Sequence, residues 1–326
     1  MKHDGFLADV LRAPEALAGL LDEYAAASSP VDSLPSAGSL QRVVLIGMGS
    51  SGFAAVTVAA RLRATGIDAV AELASTGSPT PPGPGTLAVG VSASGSTAET
   101  VEALARHRGS GLAVAVTNDP SSPLAEEADV TLPLLAGVEE GGVACLTFQA
   151  TLAVLHLLAG RLLGGHPSVA DLRPAVDAAD ALRDGRQAWL PELCALLGEA
   201  TSIHTVAPAE RLSSALQSAL MLREGPRLQA HGHETGDWLH VDVYLTKRPG
   251  YAALLFPGSR FDTDVMRWLT ERGSTVIAVG CPVDGAALTV PFPSGDDLLV
   301  QALVETGVAE LAAAELWRRG VEAALV

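Results

Sequence analysis

Lysine is nearly absent from this chain: Lys2 and Lys247 are the only two among 21 basic residues. Imine chemistry needs a side-chain amine as nucleophile, so Lys247 is the one residue beyond the N-terminal tail that could supply it. Aromatic residues make up only 4% of the chain, against 48% hydrophobic residues overall. A core of Val, Leu and Ala with few rings suits apolar strands packed under Ala/Leu helices. Positive charge is scarce too. A net charge of −16 argues against nucleic acid or an anionic membrane surface as a partner. The three cysteines, Cys145, Cys194 and Cys281, form no CxxC pair. They read as buried free thiols of a reducing compartment, which predicts a cytoplasmic location. The opening MKHDGFLADVLRAPEALAGLL lacks a signal-peptide core. The most apolar stretch, 146–163, is interrupted by Gln149, His156 and Arg161, which predicts a buried helix and no membrane span.

What is present is length and order. A chain of 326 residues is enough for two domains of ordinary size. Residues 5–27 carry apolar positions at helical spacing, and a Ser/Pro-rich linker, ASSPVDSLPSAGS, follows at 27–39. From residue 42 the pattern changes to short apolar runs alternating with helical segments. RVVLIG (42–47), DAVAELA, TLAVGVS (86–92), LAVAVT (112–117) and DVTLPL (129–134) read as strands. Residues 144–163 read as a long helix. Alternating strands and helices with short loops predict a parallel sheet covered on both faces.

The pattern then repeats. SIHTVAPAERLSSALQSALML (202–222) mirrors the first strand–loop–helix. YAALLFPGSRFDTDVMRWLTERGSTVIAVG (251–280) mirrors 87–116, ALTVPFPSGDD mirrors DVTLPLLAGVEE, and a final helix at 298–319 mirrors 144–163. The predicted architecture is therefore α/β, with two tandem three-layer αβα units, each on a five-stranded parallel sheet of flavodoxin type. The division predicted along the chain is an N-terminal helix and linker (1–39), a first unit (40–166), a helical linker (167–195) and a second unit (196–326).

The two copies differ where ligands bind. The first has Gly-Met-Gly-Ser-Ser-Gly after its first strand and Ser92-Ala-Ser-Gly-Ser-Thr97 after its third. The second has VAPAERLSS and FPGSRFD. Gly47, Gly49 and Gly52 with Glu72 match a dinucleotide fingerprint, a weak match in a Gly/Ala-rich chain. Ser92, Ser94, Ser96 and Thr97 place four hydroxyls where a strand ends and a helix begins, and Ser50 and Ser51 converge from the neighbouring loop. Uncharged donors and a helix N-terminus suit a phosphate monoester. One of these hydroxyls would serve equally as a helix cap; four exceed that need.

These motifs, GMGSSGFAA with VSASGSTAETVEAL, resemble the sugar isomerase (SIS) domain. Two tandem copies resemble the double-SIS family that includes the isomerase half of glucosamine-6-phosphate synthase, over about 40–320. AGVEEGGVACLTFQATLAVL and ALQSALMLREGPRLQAHGHETGDWLH fit in the same order. The resemblance implies a phosphorylated sugar or amino sugar as ligand. It implies Ser51, Ser92, Ser94 and Thr97 as phosphate ligands, in loops that also hold Gly49, Ser50, Gly95 and Ser96. It further implies Glu224 as the carboxylate that moves a proton between C1 and C2, and Glu139 as an acidic loop residue of the site. His240 would assist ring opening, lent across a homodimer interface. No cofactor is expected.

The chain also departs from that pattern. Met221 and Leu146 stand where the synthase carries lysines, and Val-Asp-Val-Tyr follows His240 in place of Gly-Pro. The N-terminus has no catalytic Cys or glutaminase domain, and the lysine-bearing C-terminal tail is missing. Isomerisation or amine loss without a lysine imine is the activity these residues predict. A phosphosugar sensor without turnover is the alternative, and an NAD(P)-dependent oxidoreductase using Glu72 is a third. The stretch QAHGHETGDWLHVD (229–242) concentrates His231, His233 and His240. Gly232 and Gly236 predict a loop there, in a hinge between the copies. A metal would need Glu234 or Asp237 as a further ligand; a polar active-site wall is the expectation, with no metal.

Overall fold

A computed structural model of the protein describes residues 2–35, 38 and 40–320. Residues 36, 37 and 39 of the expected linker and the last six positions of the second copy lie outside the described residues. The helices are α1 (Lys2–Leu11), α2 (Ala13–Tyr24), α3 (Ser50–Ala64), α4 (Ala98–Ala105), α5 (Pro123–Glu126), α6 (Leu146–Leu162), α7 (Val169–Leu172), α8 (Pro174–Asp184), α9 (Leu190–Gly198), α10 (Leu212–Glu224), α11 (Thr235–Trp238), α12 (Asp262–Glu271), α13 (Leu298–Val304) and α14 (Thr306–Arg318). The strands are β1 (Arg42–Gly47), β2 (Ala69–Leu73), β3 (Thr86–Val91), β4 (Leu112–Thr117), β5 (Val130–Pro133), β6 (Ser202–Ala207), β7 (Ala230–Glu234), β8 (Tyr251–Leu255), β9 (Thr275–Gly280) and β10 (Leu288–Pro291). No described helix is long and apolar enough to cross a membrane.

The chain forms two compact units. One comprises 15–138 and 146–174, the other 1–14, 139–145 and 175–326. They cut the chain at other places than the tandem division into 1–39, 40–166, 167–195 and 196–326, which remains our proposal for the duplicated copies.

The first unit holds the parallel sheet β2-β1-β3-β4-β5. Its strands are apolar because both faces are covered: every residue of β3 is buried, as are Val43 to Gly47 of β1. Ala88, Ala113 and Ala115 pack with Leu104 of α4 and Leu124 of α5 on one face. On the other face α3 packs against α6, a helix buried at fifteen positions including His156.

Among the described residues, neither ring nitrogen of His156 has a hydrogen-bond partner. Burial, with Arg61 adding to it, pushes its pKa down to about 3. The unfolded chain binds a proton below about pH 6.5 that the folded chain refuses. Stability is therefore full above that pH and lost as pH falls towards 3. Wild type is expected to lose about 2 kcal/mol from this residue between pH 7 and pH 5, and His156→Leu to remove that loss. Urea unfolding at the two pH values checks it.

The second unit holds β7-β6-β8-β9-β10, again parallel, so both sheets follow the 2-1-3-4-5 order of flavodoxin-like folds. Three expectations are corrected here. Residues 230–234 are an edge strand, not a loop or hinge. Gly232 serves close packing: a Cβ there would meet the Ala215 carbonyl oxygen of α10 at 2.8 Å. The final helix is two helices, α13 and α14, parted at Glu305. Asp297 caps α13 by accepting from the Leu299 N–H at 2.9 Å. Cys281, expected buried, is exposed in the loop after β9, while Cys145 and Cys194 are buried.

Helix α1 belongs to this second unit. Phe6 lies fully buried with its ring 6.3 Å from that of Trp317 in α14. The buried Asp9 accepts from the Gly141 N–H at 2.8 Å, and Arg183 donates to the Leu11 carbonyl at 3.3 Å.

Candidate functional site

In the first unit the strand order reverses direction between β1 and β3, the point where open parallel sheets bind ligands. Register pairs Gly47 with Val91, so both strands end together and their loops emerge side by side. The β1 loop turns sharply through Gly49, whose φ of 52° disfavours any residue with a side chain. A Cβ on Gly47 would meet the Gly52 nitrogen at 3.0 Å, so the two glycines allow the turn to close. Ser50 and Ser51, partly exposed, open the fifteen-residue helix α3, where free N–H groups and the helix dipole favour an anion.

The β3 loop supplies the other hydroxyls. Gly95 has a φ of 63°, and a Cβ there would fall 1.9 Å from the Ser122 hydroxyl, so only glycine fits. Thr97 occupies the N-cap of α4, yet its side chain makes no cap hydrogen bond. Its hydroxyl instead lies 3.1 Å from that of the buried Ser92. Ser94 and Ser96 are exposed at the tip, where the Ser96 N–H donates to the Ser94 hydroxyl at 3.2 Å. Thr97 is not taken up in capping; it shares its bond with Ser92. Glu72 is otherwise engaged: its carboxylate accepts from the N–H and hydroxyl of Thr80, both at 2.8 Å. That ties down the loop after β2 and weakens the ribose-binding role a dinucleotide would need.

The second unit contains a group of carboxylates. Glu224 ends α10, with its side chain reaching the surface. Desolvation leads in raising its pKa; Arg223 opposes and the charge of Glu139 adds to the rise. Glu139 accepts from the Cys145 N–H at 2.7 Å, a bond that holds its loop. Glu310, buried in α14, also feels Glu139, and burial above all pushes its pKa up to about 8. It is therefore mostly uncharged at neutral pH. Its place beside Glu139 had no signature in the sequence, because it sits in the apolar stripe of a terminal helix.

His240 is exposed after α11, beside the exposed side chains of Val241, Tyr244 and Leu245. Glu234 caps α11 by accepting from the Asp237 N–H at 2.8 Å, which engages its carboxylate. His233 faces His204 and Asp242. Leu146 and Met221, the apolar residues at the family's lysine positions, are both buried.

At the equivalent point in the second unit, between β6 and β8, Ser213 and Ser214 are buried at the start of α10. There the buried guanidinium of Arg211 donates to the Glu305 carboxylate and to the Pro257 carbonyl oxygen. The chain's own cation fills the space.

Comparison with known proteins bears on both units. Residues 39–161 match the SIS domain family. Over 227 residues, 66% of this chain, the sequence is 33% identical to the glutamine–fructose-6-phosphate aminotransferase (isomerizing) of Aeropyrum pernix, and it spans 36% of that enzyme's length. The fold is similar to the C-terminal domain of glucosamine-fructose-6-phosphate aminotransferase from Francisella tularensis, with a TM-score of 0.79 at 17% identity over 96% of each chain. It is also similar to glucosamine-6-phosphate deaminase from Thermotoga maritima, with a TM-score of 0.78 at 20% identity over 98% of this chain and 96% of that one.

Proposed function

Residues 39–161 are a SIS domain, and from that premise we propose that the protein binds a phosphorylated sugar or amino sugar and moves a proton between its C1 and C2. The observation that carries the reading is that the loops after β1 and β3 emerge together, with the Ser92 and Thr97 hydroxyls 3.1 Å apart; in this proposal Ser51 and Ser94 complete the cradle. It offers neutral donors and two helix N-termini to a dianion, in a chain whose net charge is −16.

Glu224 is the proton carrier in this proposal. As a carboxylate it takes the proton from one carbon of the opened sugar and returns it to the neighbour through a cis-enediol or enediolamine. A raised pKa suits that task near neutral pH. Burial of apolar Leu146 and Met221 favours proton transfer without a lysine imine. His240 assists ring opening from a second copy of the chain, and the apolar Val241, Tyr244 and Leu245 around it suit such an interface.

The phosphate half is tested by calorimetry with glucosamine-6-phosphate and glucosamine. Ser92→Ala with Thr97→Ala is expected to weaken the phosphorylated ligand by about 1.5–3 kcal/mol for each lost bond to the charged group. The unphosphorylated sugar should show no such change. Equal weakening of both ligands, or of neither, refutes the cradle. The departures at Leu146 and Met221 equally favour a sensor that binds and does not turn over. Thermal stabilisation by one phosphosugar, with no product from a panel of aldose, ketose and amino-sugar phosphates, selects that reading.

A further inference from the structure

The geometry points to a divalent transition-metal site formed by His204, His233 and Asp242, none of which belongs to the serine loops or the carboxylate group. One donor atom from each of the three lies within 4.8 Å of the others; for an ion held between the two rings, Asp242 has to leave His233 Nδ1 and turn a carboxylate oxygen towards it. His204 is on β6, His233 on β7 and Asp242 at the start of the 3₁₀ turn 242–247. Register puts His231 opposite His204 and His233 opposite Val206. Alternation along the strands then turns all three imidazoles to one face of the sheet.

Each ring is held at both ends. His204 Nδ1 lies 2.9 Å from His233 Nε2, so two ring nitrogens point at each other. Beyond them, His204 Nε2 lies 2.7 Å from the Ser202 hydroxyl, and His233 Nδ1 lies 3.0 Å from an Asp242 oxygen. His204 also stacks on Tyr251, with ring centroids 4.3 Å apart and planes at 14°. A ligating imidazole whose outer nitrogen is fixed by a hydroxyl or carboxylate is the arrangement found around bound metals.

Charge and protons balance without further groups. Between the facing nitrogens one hydrogen now stands where the ion would bind. When the ion enters, that ring carries its hydrogen on the outer nitrogen instead. Ser202 can accept it from His204, and Asp242 can accept from His233 until one of its oxygens turns to the ion. Two imidazoles and one carboxylate select zinc, cobalt or nickel over magnesium or calcium. His204 is fully buried, whereas His233 and Asp242 keep 11% and 22% of their side-chain surface, so the ion enters from their side. Bound there, it would clasp the edge strand β7 to β6 and to the turn after α11.

The test is titration of the chelator-treated full chain with Co²⁺, followed by visible absorption and by thermal unfolding with and without Zn²⁺. Expected are one Co²⁺ per chain with d–d bands of a low-coordinate site, and a higher unfolding midpoint with Zn²⁺. His233→Gln and Asp242→Asn, at partly exposed positions, should each weaken Co²⁺ by at least about tenfold while unfolding near the wild-type midpoint without metal. His166→Gln and His240→Gln, at exposed histidines elsewhere, should leave binding unchanged. No saturable Co²⁺ binding, or binding that survives both cluster substitutions, overturns the proposal and leaves the three residues as a hydrogen-bonded chain.

Discussion

Glu224→Gln is expected to lower turnover of a phosphorylated amino sugar by about 10²–10⁴-fold, the range a positioned acid–base group contributes, with ligand affinity kept. Glutamine preserves size and one acceptor oxygen but cannot take a proton from carbon. The direction of the pKa shift adds a second readout. Desolvation and the charge of Glu139 hold the Glu224 pKa above its ordinary value. A base works only when ionised, so the acid limb of the pH–rate profile should lie above that of an ordinary glutamate. Glu139→Gln removes one source of the rise and should move that limb to lower pH. Stopped assays with a panel of sugar phosphates measure both effects. Wild-type turnover by Glu224→Gln would remove this residue from the mechanism.

The largest effect on stability is expected at Arg211. Its guanidinium and the Glu305 carboxylate are each about 1% exposed. Burial pushes the Glu305 pKa up to about 7 even though Arg211 pulls it down. Arg211→Ala leaves a desolvated carboxylate without its partner and opens a void beside Pro257, at an expected cost of about 3–5 kcal/mol. Replacing both partners, Arg211→Met with Glu305→Leu, should recover most of that loss, because a buried ion pair is little better than apolar residues of similar volume. Urea unfolding of the single and double variants measures the difference. A single variant as stable as wild type would mean that Glu305 takes up a proton at little cost when Arg211 is gone.

Much of this molecule is legible in its sequence, for identifiable reasons. Strands such as RVVLIG and LAVAVT are covered on both faces, so they read as unbroken apolar runs. Repetition of the strand–helix pattern then gives the second sheet the order of the first. The serine loops stand out because their hydroxyls exceed what capping needs. What escapes depends on distant partners. Ala-His-Gly-His-Glu does not look like a strand, and only the close seat of α10 on Gly232 explains its glycine. The break between α13 and α14 falls at Glu305, whose partner Arg211 is 94 positions away. His204 sits in a strand that passes for ordinary core, and its pairing with His233 spans 29 positions.

The seat of α1 against α14 closes a loop of chain that holds the whole of the first unit and most of the second. The entropy of closing that loop is paid before the contact between Phe6 and the Trp317 ring returns anything. Docking of α1 on α14 is therefore expected to be a late step of folding, after the sheets with their shorter-range pairings have formed.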